Sequence, residues 1–356
     1  MKLLLKPALI LLALLLVAPT HAQLPFTVTE VSQFDEPWSV AVMPDGRLLV
    51  TEVKGNLIIV DEEGKQSRPV SGVPDVAYGG QGGLGDVVLH PDFAKNGLVY
   101  LSYAETGVDD TRGAAVARGV LDASGSRPTL SDVQVIWRQY PKLVGYGHYG
   151  HRMLFDDDGY LWITSGDRQK FTTAQDMQSN SGKLIRLNDD GSVPGDNPFV
   201  DYYSENPLVD RNGVYPQIWS LGHRNLLGLA LDLDGRLWEI EMGPAGGDEL
   251  NLIERGANYG YPEVSNGDHY DGRDMPDHDT RPEFNAPALW WTPVISPGDM
   301  LIYRGKAFAD WKGNAIIAGL SSQAIIRVAL GDDGSAKELE RFEMGARIRS
   351  VQEAAD

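Results

Sequence analysis

The stretch Gly145–Arg168, GYGHYGHRMLFDDDGYLWITSGDR, places a histidine in a glycine-rich loop ahead of two short apolar segments. Met153–Phe155 and Tyr160–Ile163 flank an Asp-Gly turn, a pattern that predicts a β-hairpin. A hairpin returns the chain to the end where it began, so the loops that carry His148 and Asp167 should lie side by side. Such a pair fits a general base and its orienting carboxylate, because a histidine is neutral near pH 7 and can accept a proton.

Hairpins of the same kind recur along the chain. The further pairs of apolar runs are Val40–Val42 with Arg47–Val50, Val87–Leu89 with Leu98–Tyr100, Leu229–Leu231 with Arg236–Trp238, and Leu301–Tyr303 with Ala315–Ile317. Third strands are predicted at Gly55–Val60, Gly182–Leu187 and Ala324–Val328. Repeats of this kind indicate an all-β chain and favour a β-propeller over a sandwich. The long polar segments between repeats should cluster on one face, where propellers bind ligands.

The repeat count predicts a six-bladed β-propeller of four-stranded antiparallel blades, with the sixth blade beginning at Arg347–Val351. The sequence ends at Asp356, where a turn and further strands would be expected. Either Phe26–Val31 completes the last blade, or the sequence lacks its natural C-terminus. The second interpretation is favoured.

The N-terminal residues 1–22, MKLLLKPALILLALLLVAPTHA, have the pattern of a secretory signal peptide, with lysines ahead of an apolar run and small residues at its end. No later stretch offers another long apolar run, which argues against insertion in a membrane. We therefore expect a cleaved signal peptide at 1–22, a single propeller domain at 23–356, and export to the periplasm.

The composition excludes several classes of function. A formal net charge of -19 repels phosphate groups, which argues against nucleic acid and anionic membranes as partners. The chain has no cysteine, so disulfides, thiolate catalysis and cysteine metal sites are excluded. No glycine-rich strand-helix motif for dinucleotides is present, which argues against a nicotinamide cofactor.

Three more motifs stand beside the opening stretch. They are GGQGGLGDVVLHPDF at Gly79–Phe93, SLGHRNLLGLALD at Ser220–Asp232, and EMGPAGGDELNLIERGANYGYP at Glu241–Pro262. Taken together, they make the chain similar to the soluble aldose sugar dehydrogenases that use pyrroloquinoline quinone (PQQ) and calcium, the family that includes soluble glucose and sorbosone dehydrogenases. The resemblance extends over nearly all of the chain after residue 22.

The resemblance implies a catalytic role for two residues. His148 matches the general base that removes the proton from the sugar C1 hydroxyl while a hydride passes from C1 to the quinone. Asp167 matches the carboxylate beside this histidine, where it would stabilise the imidazolium that forms. His151 is the competing candidate for the base. Considered without the resemblance, a lone histidine in a loop is more often structural.

The resemblance also implies a cofactor-binding set. The residues that match it are Gln81, Arg224, Asn225, Tyr270, Gly319, Leu320, Ser321, Arg347, Ile348 and Arg349. Arginine suits this task because its planar donors fit carboxylate and quinone oxygens. The family often has a lysine where this chain has Ser321, so the resemblance predicts weaker PQQ binding here. Without the resemblance, these stretches also fit a glycine-rich surface loop and an arginine that caps strand ends.

Calcium is implied by the third motif. The backbone carbonyls of Gly243 and Pro244 match positions that help to hold the ion, and Glu249 and Tyr259 match further calcium positions, the latter through its main chain. Calcium takes six to eight oxygen ligands, which carboxylates and loop carbonyls supply. The ion would act as a Lewis acid toward the reacting carbonyl. An acidic loop that is merely solvated is the structural alternative.

The sequence therefore predicts a dehydrogenase that oxidises aldose sugars to lactones with PQQ and calcium, and passes electrons to an external acceptor as a monomer or homodimer. One rival is a calcium-dependent propeller lactonase, a hydrolase that needs carboxylate and asparagine side chains converging on calcium in the central channel. The other rival is a non-catalytic propeller that binds a glycan or a protein.

Overall fold

The structure is a computed structural model that describes residues 24–125, 127–201 and 215–354. The predicted signal peptide at 1–22 lies outside the described residues. All pairings between the strands are antiparallel. The all-β prediction is confirmed, since the helices of the described residues are one four-residue α-helix and three short 3₁₀ turns: α1 (Phe93–Asn96), Tyr215–Gln217, His278–Thr280 and Ala309–Trp311.

The strands form five large sheets and one small one in the described part of the chain. Sheet 1 contains β1 (Pro37–Val42), β2 (Leu48–Glu52) and β3 (Asn56–Val60). Sheet 2 contains β4 (Leu84–Leu89), β5 (Leu98–Thr106), β6 (Thr111–Asp122) and β7 (Thr129–Arg138), and β8 (Leu143–Val144) also pairs with β6. Sheet 3 contains β9 (Gly150–Phe155), β10 (Leu161–Ser165), β11 (Lys183–Leu187) and β12 (Ile218–Leu221).

The second half of the chain continues the pattern. The next strands are β13 (Leu226–Leu231), β14 (Leu237–Glu241), β15 (Ala245–Gly246), β16 (Asp248–Leu252), β17 (Gly267–Asp268) and β18 (Leu289–Trp291). Sheet 4 consists of β13, β14, β16 and β18, while β15 and β17 pair separately. Sheet 5 contains β19 (Pro297–Ile302), β20 (Ala315–Gly319), β21 (Ala324–Leu330) and β22 (Ala336–Glu343). Each hairpin predicted from the sequence is therefore confirmed.

The first strands of successive sheets lie beside one another. β1 contacts β4, β4 contacts β9, β9 contacts β13, and β13 contacts β19. The apolar core fills the spaces between successive sheets, for example with Leu49 and Leu101 between sheets 1 and 2, and with Trp238 and Ile317 between sheets 4 and 5. Radial sheets packed in this way around their first strands are a β-propeller.

The predicted count of six blades is wrong for the described residues, which form five large sheets with three to five strands each. The segment Arg347–Val351, expected to open a sixth blade, forms no strand among these residues. Its backbone N–H groups form isolated hydrogen bonds to a carbonyl and to a side chain instead of a ladder with a neighbouring strand. Ile348 donates its N–H to the Gly319 carbonyl at 3.1 Å. Val351 donates its N–H to the Asp299 carboxylate at 3.1 Å. Phe26–Val31 also forms no strand.

Arg152 lies at the centre of the propeller and contacts all five large sheets. It extends from β9 of sheet 3, and its guanidinium lies 3.2 Å from Asp86 and 3.3 Å from Asp299, in sheets 2 and 5. It also donates to the Leu227 carbonyl of sheet 4 at 2.9 Å and lies over the Trp38 ring of sheet 1 at 4.2 Å. Arg152 and both carboxylates are buried. We call these three residues, Arg152, Asp86 and Asp299, the central ion cluster.

Within the described ranges, no helix is long and apolar enough to cross a membrane.

Candidate active site

The candidate residues occupy the loops at one end of the inner strands. In an antiparallel pair, the start of the first strand and the end of the second lie at the same edge. Residues before β9 and β13 therefore meet residues after β10, β14 and β20. This arrangement brings His148, Asp167, Arg224, Gly243 and Leu320 to one face, as the long inter-repeat segments predict.

His148 and Asp167 form a direct hydrogen bond. The Nδ1 atom of His148 lies 2.6 Å from Oδ1 of Asp167, and both residues are buried. The Asp167 backbone N–H donates to the Arg224 carbonyl at 2.8 Å, which fixes the carboxylate next to the start of β13. A side chain at Gly166 would lie 2.4 Å from the His148 carbonyl oxygen, so the close approach of the two loops requires glycine there.

Other contacts hold the loop that carries His148. The side-chain oxygen of Gln81 accepts the His148 N–H at 2.7 Å. The buried Arg168 donates to the carbonyl oxygens of Gly145, at 2.7 Å, and Gly147, and its guanidinium lies over the Tyr149 ring. These bonds satisfy backbone groups that the strands leave unpaired, and they fix the imidazole position.

The electrostatic surroundings keep His148 neutral at pH 7. Burial lowers the pKa of His148 below its usual value, and the hydrogen bond to Asp167 opposes this shift only in part. Because Nδ1–H donates to Asp167, Nε2 carries the lone pair that can accept a proton.

His151 has different surroundings. It is buried between the rings of Tyr149 and Trp38, and neither ring nitrogen has a hydrogen-bond partner among the described residues. Burial lowers the pKa of His151 to about 3. A histidine with so low a pKa and without a carboxylate partner is a weaker base than His148.

A cavity of about 290 Å³ adjoins the His148 loop. Its lining includes Trp38, Gln81, His151, Asn225, Leu320, Arg347 and Arg349. Neither Arg347 nor Arg349 forms an ion pair with a described residue, and burial together with Arg152 and Arg347 lowers the pKa of Arg349 to about 10. The Asn225 side-chain oxygen is buried without a partner within the described ranges. The cavity is therefore suited to an anionic ligand with both donor and acceptor groups.

Three of the four predicted calcium residues lie beside this cavity. Gly243, Pro244 and Glu249 line a small adjoining pocket together with Arg224 and Tyr261. The segment between Gly243 and Asp248 is held by the Asp248 carboxylate, which accepts the Gly243 N–H at 2.9 Å. Burial raises the pKa of Asp248 to about 6.

The remaining candidates surround the two pockets. The Tyr270 hydroxyl accepts a hydrogen bond from Arg224 at 3.1 Å, although its ring is exposed. Gly319 and Ile348 are joined by their backbone hydrogen bond, and Ser321 is exposed with its hydroxyl 2.8 Å from that of Ser296. The Tyr259 ring packs on His223 with ring centroids 4.7 Å apart and does not line the calcium pocket.

Sequence reasoning missed several buried groups near the site. Glu239 and Glu241 are buried on β14, and Arg152 is buried on β9. The sequence LWEIE contained a usable signal, since residues at alternate positions of a strand share a face. Nothing in the local sequence showed that the face of β14 with Glu239 and Glu241 is buried in the folded protein.

A larger cavity of about 840 Å³ lies toward the opposite ends of the inner strands. Its lining includes His90, Phe155, Leu231 and Arg304, but none of the residues predicted to be functional. The smaller cavity is the candidate active site, because it adjoins the histidine–carboxylate pair and contains two arginines without ion pairs to described residues.

Comparison with known proteins gives consistent matches. The model of the Glucose / Sorbosone dehydrogenase family matches residues 34–356. The chain is 37% identical over 331 residues to aldose sugar dehydrogenase YliI of Escherichia coli (strain K12), covering 91% of this chain and 86% of that protein. The crystal structure of the soluble aldose sugar dehydrogenase from Escherichia coli in its apo-form matches with a TM-score of 0.80 at 36% identity, covering 89% of this chain and 90% of that one.

A structure with bound cofactor also matches. The PQQ-bound form of aldose sugar dehydrogenase from Streptomyces coelicolor has a TM-score of 0.72 at 28% identity, covering 91% of this chain and 87% of that one. The family match includes the propeller and every candidate site residue. The resemblance found in the sequence is thereby confirmed, and the chain belongs to the glucose/sorbosone dehydrogenase family.

Proposed function

We propose that this chain is a quinoprotein that oxidises the C1 hydroxyl of aldose sugars to the lactone, with PQQ as hydride acceptor, calcium as activator and His148 as general base. The observation that carries the proposal is the buried His148–Asp167 pair beside a cavity with two arginines that have no described ion-pair partner. When bound, PQQ would supply the electrophilic quinone carbon and calcium would polarise its carbonyl.

The proposed role of His148 follows from its contacts. Its neutral imidazole would accept the C1 hydroxyl proton on Nε2, since Nδ1–H is committed to Asp167. The buried carboxylate would then stabilise the imidazolium that forms. Gln81 and Arg168 position the loop by binding its backbone, which keeps the ring in place during proton transfer.

The residues around the cavity fit PQQ, which has three carboxylates and a planar ring system. Arg347 and Arg349 would bind carboxylate oxygens, and Asn225 and Gln81 offer amide groups. Leu320 and Trp38 supply apolar surface for the rings. Arg224 would approach from the adjoining pocket, where Tyr270 already orients its guanidinium.

The neighbouring pocket fits calcium because its donors are oxygens. The Glu249 carboxylate is buried, and burial and the neighbouring Glu241 raise its pKa, with His278 acting in the opposite direction. The carbonyl oxygens of Gly246 and Gly247 both lie within 2.3 Å of the position that a Cβ atom on residue 243 would occupy, so these oxygens crowd around Gly243. Gly243, Pro244 and Glu249 would hold the ion, with Tyr259 contributing through its main chain as the resemblance implies.

The rival functions lack comparable support. A lactonase would need free carboxylates in the central channel, but Asp86 and Asp299 are paired with Arg152 there. A non-catalytic propeller gives no reason for a buried histidine–carboxylate pair. We also propose a cleaved signal peptide at 1–22, a mature propeller domain at 23–356 in the periplasm, and an external electron acceptor.

Reconstitution tests the proposed function. The purified chain is mixed with PQQ and calcium, freed of excess cofactor, and assayed for quinone absorbance and dye reduction with a panel of aldoses. We expect cofactor uptake and dye bleaching that depends on sugar. Lactone hydrolysis without PQQ would instead identify a lactonase, and absence of both cofactor uptake and hydrolysis would favour a binding protein.

Chelation of calcium should abolish dye reduction and lower the melting temperature. An ion that binds only the folded chain stabilises it by mass action, so both effects should be reversed by added calcium. Glu249→Gln should reduce the calcium-dependent shift in melting temperature, whereas Glu343→Gln, at an exposed position of β22, should not. Unchanged melting and activity in excess chelator would contradict the calcium assignment.

Ser321→Lys should tighten PQQ binding by roughly 10- to 150-fold. A charge-assisted hydrogen bond contributes about 1.5–3 kcal/mol, and the exposed side chain leaves room for a lysine beside Leu320. The dissociation constant is measured by fluorescence titration with PQQ. Ser335→Lys adds the same charge at an exposed turn and should leave it unchanged. An equal or larger dissociation constant for Ser321→Lys would show that position 321 does not face the cofactor.

A further inference from the structure

A buried acidic cluster lies between sheets 3 and 4. Glu239 and Glu241 occupy alternate positions of β14 and therefore share one face of sheet 4. His223, from the loop between β12 and β13, completes the cluster. Ligand atoms of these three buried residues all lie within 4.8 Å of one another.

Both ring nitrogens of His223 lie close to oxygen atoms. Its Nε2 lies 2.8 Å from the Ser220 hydroxyl, and its Nδ1 lies 3.2 Å from Oε1 of Glu241. When Nε2–H donates to Ser220, the Nδ1 lone pair faces the carboxylate. In that tautomer a cation would bind both atoms, and a hydrogen bond to the second ring nitrogen is the usual support of a histidine ligand. In the other tautomer Nδ1–H donates to Glu241 and the Ser220 hydroxyl donates to Nε2, so zinc binding would select the first.

The buried carboxylate of Glu239 has a hydrogen-bond partner on one of its two oxygens only, among the described residues. It is 0% exposed, and its Oε1 has no hydrogen-bond partner in the described part of the chain. No lysine or arginine of the described ranges forms an ion pair with Glu239 or Glu241. An isolated carboxylate is costly to bury, so the cluster favours either protonation or a bound cation.

Asn251 is a buried neighbour of the cluster. It pairs with Glu239 across β14 and β16, is fully buried, and its side-chain oxygen has no partner among described atoms. Its side-chain nitrogen lies 3.2 Å from Glu239 and 3.4 Å from Glu241. A rotation of the amide by half a turn would present the oxygen to the same point.

We propose that His223, Glu239 and Glu241 form a second divalent-cation site, with Asn251 as a further ligand, for a transition-type cation such as Zn²⁺. One imidazole nitrogen and two carboxylates suit zinc, whereas calcium prefers oxygen ligands alone. The site adjoins the proposed calcium pocket, because Glu241 also lines that pocket and Glu249 is the register partner of Glu241.

Occupancy of this site would support the cofactor loop. The second carboxylate oxygen of Glu241 accepts the backbone N–H of Arg224 at 2.6 Å and that of Asn225 at 3.2 Å. A cation that fixes Glu241 therefore also fixes the backbone of Asn225, which lines the cofactor cavity, and of Arg224, which lines the adjoining pocket. The ion would be a structural one, since all three ligand residues are buried.

The test is direct binding of zinc to the full chain. Protein stripped with chelator is titrated with Zn²⁺ alone, and metal content after gel filtration and melting temperature are measured. We expect one zinc per chain that Glu239→Gln removes, with affinity reduced at least about tenfold. Glu343→Gln, an exposed glutamate on β22, serves as the matched control and should bind zinc as the unaltered chain does.

Further variants separate this site from the calcium site. Ser220→Ala should weaken zinc binding by about 10- to 100-fold without altering the ligands. This variant keeps the proposal testable if Glu239→Gln does not fold. Glu249→Gln should reduce the calcium response more than the zinc response. Absence of zinc binding, equal binding by Glu239→Gln, or displacement of zinc by an equal concentration of calcium would each overturn the proposal. None of these measurements depends on PQQ or on sugar oxidation.

Discussion

Replacement of His148 by alanine is expected to lower kcat by about 10²- to 10⁴-fold, because the imidazole is the proposed acceptor of the C1 hydroxyl proton. PQQ binding should change little, since His148 does not line the cavity that contains Arg347 and Arg349. Dye reduction at saturating aldose and fluorescence titration with PQQ measure the two quantities separately. His151→Ala is the matched comparison and should retain far more activity, since His151 has no carboxylate partner among the described residues.

The pH profile gives a second measurement of the same assignment. The base must be neutral, so kcat/KM should fall as the pH decreases through the pKa of His148. Burial lowers that pKa, so the decline should lie below the ordinary histidine value of about 6.5. Asp167→Asn removes a group that raises this pKa and should move the decline to still lower pH. A near-normal kcat for His148→Ala with a large loss for His151→Ala would show that the wrong histidine was assigned.

Arg152→Met is expected to lower the free energy of unfolding by about 3–5 kcal/mol, since it leaves Asp86 and Asp299 buried without their cation. The methionine fills much of the volume, so the loss reflects charge and hydrogen bonds more than a cavity. Denaturant unfolding followed by circular dichroism measures it. Arg341→Met is the control, since the pair between Arg341 and Glu338 is partly exposed and should contribute less than about 1 kcal/mol.

The comparison of Arg152→Met with Arg341→Met decides the role of the central ion cluster. Equal and small effects would show that the cluster contributes little to stability. A large effect confined to Arg152→Met would show that the five sheets depend on a shared charged centre. Because Arg349 accepts a hydrogen bond from Arg152 through its carbonyl at 3.2 Å, PQQ affinity should fall as well.

The sequence predicted the hairpins because their signals are local. An Asp-Gly turn between two apolar runs fixes a hairpin without reference to the rest of the chain. The return of the hairpin also predicted that His148 and Asp167 would be adjacent, which the 2.6 Å contact bears out. The family resemblance then placed Gln81, Asn225 and Arg349 around a common ligand, and the structure brings all three to one cavity.

Other features depend on the whole fold and left no local signal. Arg347–Val351 alternates like a strand, but a strand also needs a neighbour, and Asp299 takes its backbone donor instead. Glu239 and Glu241 resemble a solvated strand face, and only the packing of sheet 3 against sheet 4 buries them. Tyr259 and Tyr261 lie in an irregular loop without periodicity, so the sequence could not show which ring lines the calcium pocket.

The central ion cluster has a consequence for the order in which the chain folds. The partners of Arg152 lie far away in sequence, since Asp86 is 66 positions and Arg349 197 positions away from it. Contacts of such separation form only after the intervening chain has been ordered. The guanidinium can therefore reach its partners only late, when the sheets have already assembled. Its bonds would then slow unfolding and leave the rate of folding almost unchanged. The cluster would therefore make the propeller kinetically stable, because the folded chain unfolds slowly even where folding is also slow.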